Sequence, residues 1–167
     1  MVTVGMHNQG FDRLVKAMDE LARQLAEQVI IQFGSASYHP YFAESFQWTT
    51  SWQMEQLIAE ARVIVTHAAA GTIILGLKYR KPLVVVPRLE KFGEVFDDHQ
   101  IQLAKALSVH SRVIAVEQPT VESLRTAIEV AGRLPMSPVG SRQLVEALRN
   151  RLAELEIAGS GKTLLDS

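Results

Sequence analysis

Two segments of this chain combine residue types and spacings that could hold a phosphorylated ligand. The first is Thr66-His67-Ala68-Ala69-Ala70-Gly71-Thr72, in which His67 is followed by residues too small to shield their own backbone. A turn of small residues that opens a helix presents free N–H groups at a positive dipole end, which suits an anion. Here Gly71 and Thr72 would supply a backbone N–H and a hydroxyl. A purely structural turn between strand and helix has the same composition, and His67 could face a ligand or simply cap its strand. The second segment is Gly5 to Gly10, Gly-Met-His-Asn-Gln-Gly. Its amides, with Asn8 and Gln9, could cradle a diphosphate, or it could be an ordinary loop. His7 within it has an ordinary pKa close to working pH, so it is a candidate general base. Asp97-Asp98-His99 offers metal-ligating types, but adjacent side chains at a helix start do not converge on one point, so no metal site is expected.

These segments need elements to position them. Val63 to Val65 and Leu83 to Val86 are β-branched, continuously apolar runs, which suit parallel strands covered on both faces. A helix is expected between them from about Thr72 to Tyr79. Val2 to Val4 form a first strand. Phe11, Leu14, Val15, Met18, Leu21, Ala22 and Leu25 recur at helical spacing. Val29 to Phe33 are a second strand, and Phe46 to Trp48 a short third one after a polar and aromatic loop. Thr50 and Gln53 have the spacing of a capping box and open a helix to about Ala61. A helix from about Asp97 to Leu107, a strand Val113 to Val116 and a helix opened by Pro119-Thr120 follow. Leu144, Leu148, Leu152 and Leu155 mark a last helix, and the tail from Gly159 frays. Strands alternating with helices predict an α/β fold, a doubly wound parallel sheet, as one domain over 1–158.

Composition narrows the class. In 167 residues, 17 basic side chains face 18 acidic ones, and no basic stripe suggests nucleic acid. There is no cysteine, which excludes disulfides, thiolate nucleophiles and Cys-based metal sites. No signal peptide is evident, and no apolar run approaches the roughly 20 residues of a membrane span. A cytoplasmic location is expected. Gly159-Ser-Gly-Lys-Thr163 imitates the end of a P-loop, but Glu156 stands where that pattern needs Gly, and a leucine-rich helix precedes it rather than a strand.

Four motifs occur in a fixed order: Val2-Thr-Val-Gly5 with Phe11-Asp-Arg-Leu14; Thr66-His-Ala-x-Ala-Gly-Thr72; Lys81-Pro-Leu-Val-Val-Val-Pro-Arg88; and Lys91-Phe-Gly-Glu94 with Asp97-Asp-His-Gln100. Together they resemble the C-terminal, donor-binding domain of family 28 glycosyltransferases, which have the two-domain GT-B architecture. The chain is similar to the single-domain Alg13-type and PssE-type subunits. The resemblance covers roughly residues 1 to 130. It implies a hexosyltransferase acting by inversion on a nucleotide sugar, a UDP-sugar donor, a lipid-linked saccharide acceptor in exopolysaccharide synthesis, and a membrane-anchored Alg14/PssD-like acceptor subunit. That partner would hold the chain at the inner face of the membrane. A chain opening almost at its first strand leaves no room for an acceptor domain, which fits the split form. No cofactor or catalytic metal is implied, and the isolated chain could self-associate.

The resemblance also implies a donor site built from Gly5, Asn8, Gln9, Ser51, His67, Ala70, Gly71, Thr72, Arg88, Phe92, Gly93, Asp98, His99 and Gln100, with His7 as candidate base. Ser51 would lie near the nucleobase, although a plain N-cap explains it as well. Asp98, His99 and Gln100 would lie near the donor sugar, where Gln100 could read hydroxyls through both acceptor and donors. Asp97 and Asp98 alternatively suit a helix N-terminus. Two departures stand out. Met6 replaces a Thr usual in the family. Leu75 stands where related domains place a Glu that holds the ribose hydroxyls. Both leave open a non-catalytic, nucleotide-sugar-binding or regulatory subunit.

Overall fold

The computed structural model describes residues 1–95, 100, 104 and 113–134. The chain divides at Pro135, and all described residues belong to the unit Met1–Pro135. Of the helix expected over 97–107 only Gln100 and Ala104 are described, both helical, and the helix expected over 144–155 and the tail lie outside the described residues. The elements are β1 (Val2–Thr3), α1 (Asp12–Ala22), β2 (Ile30–Gln32), β3 (Glu44–Phe46), α2 (Ser51–Glu60), β4 (Ile64–His67), α3 (Ala70–Lys78), β5 (Leu83–Val86), β6 (Val113–Ala115) and α4 (Val121–Arg133). The strands form one sheet in the order β3-β2-β1-β4-β5-β6, and every neighbouring pair is parallel. The α/β expectation is met.

Both faces of the sheet are covered, which is why its central strands are apolar at every position. Val63, Val65, Val84 and Val86 join Leu14, Val15, Met18 and Leu21 of α1 and Leu124, Ala127, Ile128 and Ala131 of α4 in one buried cluster. The alternate residues Ile64, Leu83 and Val85 are buried as well, with Ile58 of α2 and Ile73 and Leu77 of α3. Gly76 sets the approach of α3 to that second face: a Cβ there would lie 2.7 Å from Leu83 Cδ2. Each fully buried Leu or Ile contributes roughly 1.5–3 kcal/mol.

Helices α2 and α4 begin as their sequences predict. Thr50 and Thr120 each accept an N–H three residues on, from Gln53 and Ser123, and both form closed capping boxes. The third strand lies two residues earlier than expected. Its pairing is fixed by β2 (Ile30 opposite Glu44, Gln32 opposite Phe46) rather than by its own hydrophobicity. The loop before it is fastened to α1. Asp19, fully buried, accepts from Tyr38 OH at 2.7 Å and from the N–H groups of Tyr41, Phe42 and Ala43 at 2.8–2.9 Å. Burial pushes the Asp19 pKa up, but these hydrogen bonds outweigh it and hold the carboxyl below its ordinary value.

The order of strands reverses between β1 and β4. The chain leaves β1 toward β2 and β3, then returns to β4 and continues to β5 and β6 on the other side. A crevice therefore opens at the carboxyl ends of β1 and β4, the place where open α/β sheets bind ligands.

Candidate functional site

A cavity of about 550 Å³ occupies this crevice, lined among others by Gly5, Met6, Trp48, Ser51, Met54, His67, Ala69, Gly71, Thr72 and Leu75. Its back wall is a consequence of close packing. Gly5 has φ +75°, and a Cβ on it would lie 2.4 Å from His67 Cε1, so only glycine fits there. His67 is 6% exposed. Burial, with the Arg88 charge adding to it, pushes its pKa down to about 3, despite a hydrogen bond with the Thr3 backbone. It is neutral at working pH and brings no positive charge to the cavity. Its Nδ1 is buried and has no hydrogen-bond partner.

Gln32 orders the loops on the other side. Its Oε1 accepts from Thr3 Oγ1 at 2.6 Å and from Gly5 N–H at 3.1 Å, and its Nε2 donates to Gly5 O and Gln47 O at 3.0 and 3.1 Å. Sequence reading did not single out Gln32. The one available signal was an amide interrupting the apolar run Val29 to Phe33.

The turn from Gly5 to Gly10 is held from within. Arg88 is 1% exposed, and its guanidinium donates to Val4 O, Gln9 O, Gly10 O and Glu94 O at 2.9–3.1 Å. It also lies 4.8 Å from the centre of the Phe11 ring. Burial lowers its pKa to about 10, which leaves it protonated. Arg88 thus belongs to the scaffold of the turn and does not line the cavity. Arg13 braces the same region, with Nε and Nη2 each 2.9 Å from the Glu94 carboxylate and Nη2 2.7 Å from Pro87 O. His7 accepts the Gln9 N–H on Nδ1 at 3.2 Å, and Ser35 Oγ donates to its carbonyl. Burial and the Arg88 charge lower its pKa. With Nδ1 engaged as acceptor, a neutral His7 carries its proton on Nε2.

Helix α3 is finished differently. It begins at Ala70, two residues before the expected start, because alanines favour the helix. Its N-cap, Ala69, has extended backbone (φ −107°, ψ 132°) and no side-chain cap. The helical ladder starts with Ile73 N–H donating to Ala69 O, which leaves the amides of Ala70, Gly71 and Thr72 ahead of the first intrahelical bond. A Cβ on Gly71 would meet nothing within 4 Å, because that position faces open space.

Of the expected site residues, Gly5, Ser51, His67, Gly71 and Thr72 line the cavity together. Ser51 is the first residue of α2, and Thr50 is its N-cap. Asn8 and Gln9, in the turn after β1, and Ala70, the first residue of α3, are not among the lining residues. Phe92 and Gly93 form a 3-10 turn (Glu90–Phe92) closed by Gly93 at φ +66°, with Arg13 5.1 Å from the Phe92 ring. Gln100 accepts the Arg88 N–H on Oε1 at 3.0 Å. Asp98 and His99 lie outside the described residues. Met54, Ile58, Thr49 and Trp48 complete the wall without having been expected to. None of the described lining residues is charged.

The glycosyltransferase family 28 C-terminal domain matches residues 1–134. The chain belongs to that family. No curated protein matches it. Among solved structures it is similar to the glycotransferase of kitacinnamycin (20% identity, TM-score 0.61, 94% of this chain and 42% of that one). It is also similar to CalG4, the calicheamicin glycosyltransferase (19%, 0.59, 98% and 43%). A third similar structure is MurG of Acinetobacter baumannii (18%, 0.51, 89% and 49%). The likenesses show the fold, that of a Rossmann-like half of a GT-B glycosyltransferase, and the chain spans less than half of each of these proteins.

Proposed function

We propose that this domain is the donor-binding subunit of a two-component inverting glycosyltransferase, which moves a sugar from a UDP-sugar to a lipid-linked saccharide in polysaccharide synthesis. The observation that carries the reading is the uncapped N-terminus of α3 opening into the cavity at the switch point. The amides of Gly71 and Thr72 hold the distal phosphate, and the helix dipole stabilises charge developing on the leaving diphosphate without a metal. The acceptor oxygen attacks the anomeric carbon on the face opposite the diphosphate, whose C–O bond breaks with its electron pair. The hydroxyl proton passes to a base. We place that base on the partner half, because Nδ1 of His7 already accepts the Gln9 N–H.

The partner in this reading is a membrane-anchored acceptor subunit of the Alg14 or PssD type, and it brings the domain to the inner membrane surface. Exposed apolar side chains support it. Met6 and Trp48, which line the cavity, are 87% and 47% exposed, and Phe92 is 52% exposed. Among the described residues no helix is long and apolar enough to cross a membrane. A second reading, a nucleotide-sugar-binding subunit without catalysis, is favoured by the apolar Met6 and Leu75 in the cavity wall. The deciding experiment is a transfer assay on a lipid-linked acceptor. Turnover should be negligible for the purified chain and should appear with the co-expressed partner, since a half-site forgoes the roughly 7–11 kcal/mol that positioning provides. Full turnover by the chain alone would contradict the two-component reading. No turnover in either setting, with donor bound, would favour the regulatory one.

A further inference from the structure

Three turns at the carboxyl edge of the sheet meet at one side chain. Gln32, the last residue of β2, pairs in register with Thr3 of β1 and Phe46 of β3. Its buried carboxamide therefore lies where the turns after β1 and β3 begin. The oxygen accepts from Thr3 Oγ1 at 2.6 Å and from the Gly5 N–H at 3.1 Å. The nitrogen donates to Gly5 O at 3.0 Å and to Gln47 O at 3.1 Å. The turn after β2 closes over the same point: a Cβ on Gly34, at φ +55°, would lie 2.8 Å from Gly5 O and 3.2 Å from Gln32 Nε2.

A carboxamide has two lone pairs on oxygen and two N–H donors, and here all four are engaged by the protein. None is left for a ligand, although Gln32 lies in the cavity wall. The four bonds instead tie together two stretches that line the cavity: Gly5 and Met6 after β1, and Trp48 to Ser51 just beyond Gln47. Gly5 and Gln47 both present carbonyls, and two carbonyls cannot bond each other. The paired donors of one amide are what hold them side by side. A carboxylate in that place has no donor to offer, and a thioether is at best a weak acceptor.

We propose that Gln32 is a positioning residue of the nucleotide site: its carboxamide latches the turn after β1 to the loop after β3, and the spacing it sets between these walls fixes nucleotide affinity. The inference rests on the donor-site reading above. It is tested by calorimetric titration of UDP into the full chain, Gln32→Met and Gln32→Glu, with unfolding curves, at about pH 8 and about pH 5.5. Burial against two carbonyls raises the carboxyl of Gln32→Glu above its ordinary range. Once protonated, it accepts on one oxygen and donates from the other, which restores part of the latch. Thr3, Gly5 and Gln47 do not titrate. His67, whose ring lies against Gly5, stays neutral over this window with its pKa at about 3. Each affinity is taken relative to the wild-type chain at the same pH, which cancels the titration of His7 and of UDP itself.

Gln32→Met should bind UDP at least tenfold more weakly at both pH values. Gln32→Glu should be at least tenfold weaker at the higher pH and within threefold of the wild-type chain at the lower. Wild-type affinity in a folded Gln32→Met would overturn the inference, as would a loss in Gln32→Glu that is equal at both pH values. If either variant does not fold, Thr3→Val stands in, because it removes one donor to the Gln32 oxygen at nearly equal volume. It should weaken UDP at least threefold, and unchanged affinity would overturn the inference. Binding by no chain, the wild type included, would overturn the donor-site reading; the latch itself is then read from the chain's two tryptophans, Trp48 and Trp52. Ligand-free Gln32→Glu should emit at longer wavelength than the wild type at the higher pH and match it at the lower. Emission matching the wild type at both would overturn the latch.

Discussion

The turn after β1 and the turn after β4 leave neighbouring strands at the same edge of the sheet, and both join a strand to a helix through small or glycine-flanked residues. They are completed in opposite ways. The first is filled by the protein itself: Arg88 takes the carbonyls of Val4, Gln9 and Gly10, Gln32 takes both backbone groups of Gly5, and the ring of His67 fills the space where a Gly5 Cβ would stand. The second is left open: Ala69 provides no cap and Gly71 faces empty space. The helix ends of α2 and α4 are closed by capping boxes, at α2 within the wall of the same cavity, whereas α1 and α3 begin without a side-chain cap. Backbone groups left unsatisfied at the start of α3, and facing a cavity, are where the proposed donor would complete the structure.

The contrast can be broken first at its rigid side. Replacing Arg88 by Met removes a buried cation from four carbonyls and should destabilise the domain by at least about 3 kcal/mol, given roughly 1.5–3 kcal/mol for a hydrogen bond to a charged group. Urea unfolding would register it, and a change under 1 kcal/mol would remove Arg88 from the scaffold.

His67 joins the two turns and makes the fold sensitive to acid. Its folded pKa, about 3, is depressed from 6.5. Above 6.5 neither state is protonated, and the full stability is present. As pH falls below 6.5 the unfolded chain takes up a proton that the folded one refuses, so stability is lost progressively down to about pH 3. The loss should approach about 1.4 kcal/mol per pH unit, or roughly 2 kcal/mol between pH 6.5 and 5. Unfolding curves for His67→Gln should be flatter over that window. An unchanged slope would mean that His67 titrates normally.

Much of this contrast was invisible in the sequence, for a physical reason. Periodicity reports which face of an element is buried, so the strands Leu83 to Val86 and Val63 onward, the α1 stripe and both threonine caps could be read directly. Glu44 to Phe46 could not, because an edge strand with only one apolar residue owes its position to pairing with β2 and to Asp19 fastening the preceding loop. Arg88 carries no local mark of its role: the carbonyls of Gln9 and Gly10 that it binds are more than 70 residues away in sequence. The open end of α3 was the most legible part of the site, since a run of small residues announces itself without any distant partner.

A smaller change would invert the contrast. Ala69 already has the extended backbone of an N-cap, so Ala69→Ser should close the end of α3 and stabilise the domain by about 1 kcal/mol. The same hydroxyl would compete with the ligand for the amides, and UDP affinity should fall as stability rises. Both quantities moving together in the same direction would contradict the account.

The most direct measurement is calorimetric titration of UDP into the chain and into Gly71→Val, with unfolding curves as a check on the fold. A side chain at Gly71 enters open space, so stability should be preserved while the cavity face of α3 is obstructed. The account predicts at least a tenfold loss of affinity at unchanged stability. Undiminished binding by a folded Gly71→Val would contradict the claim that the open end of α3 is where the nucleotide sits.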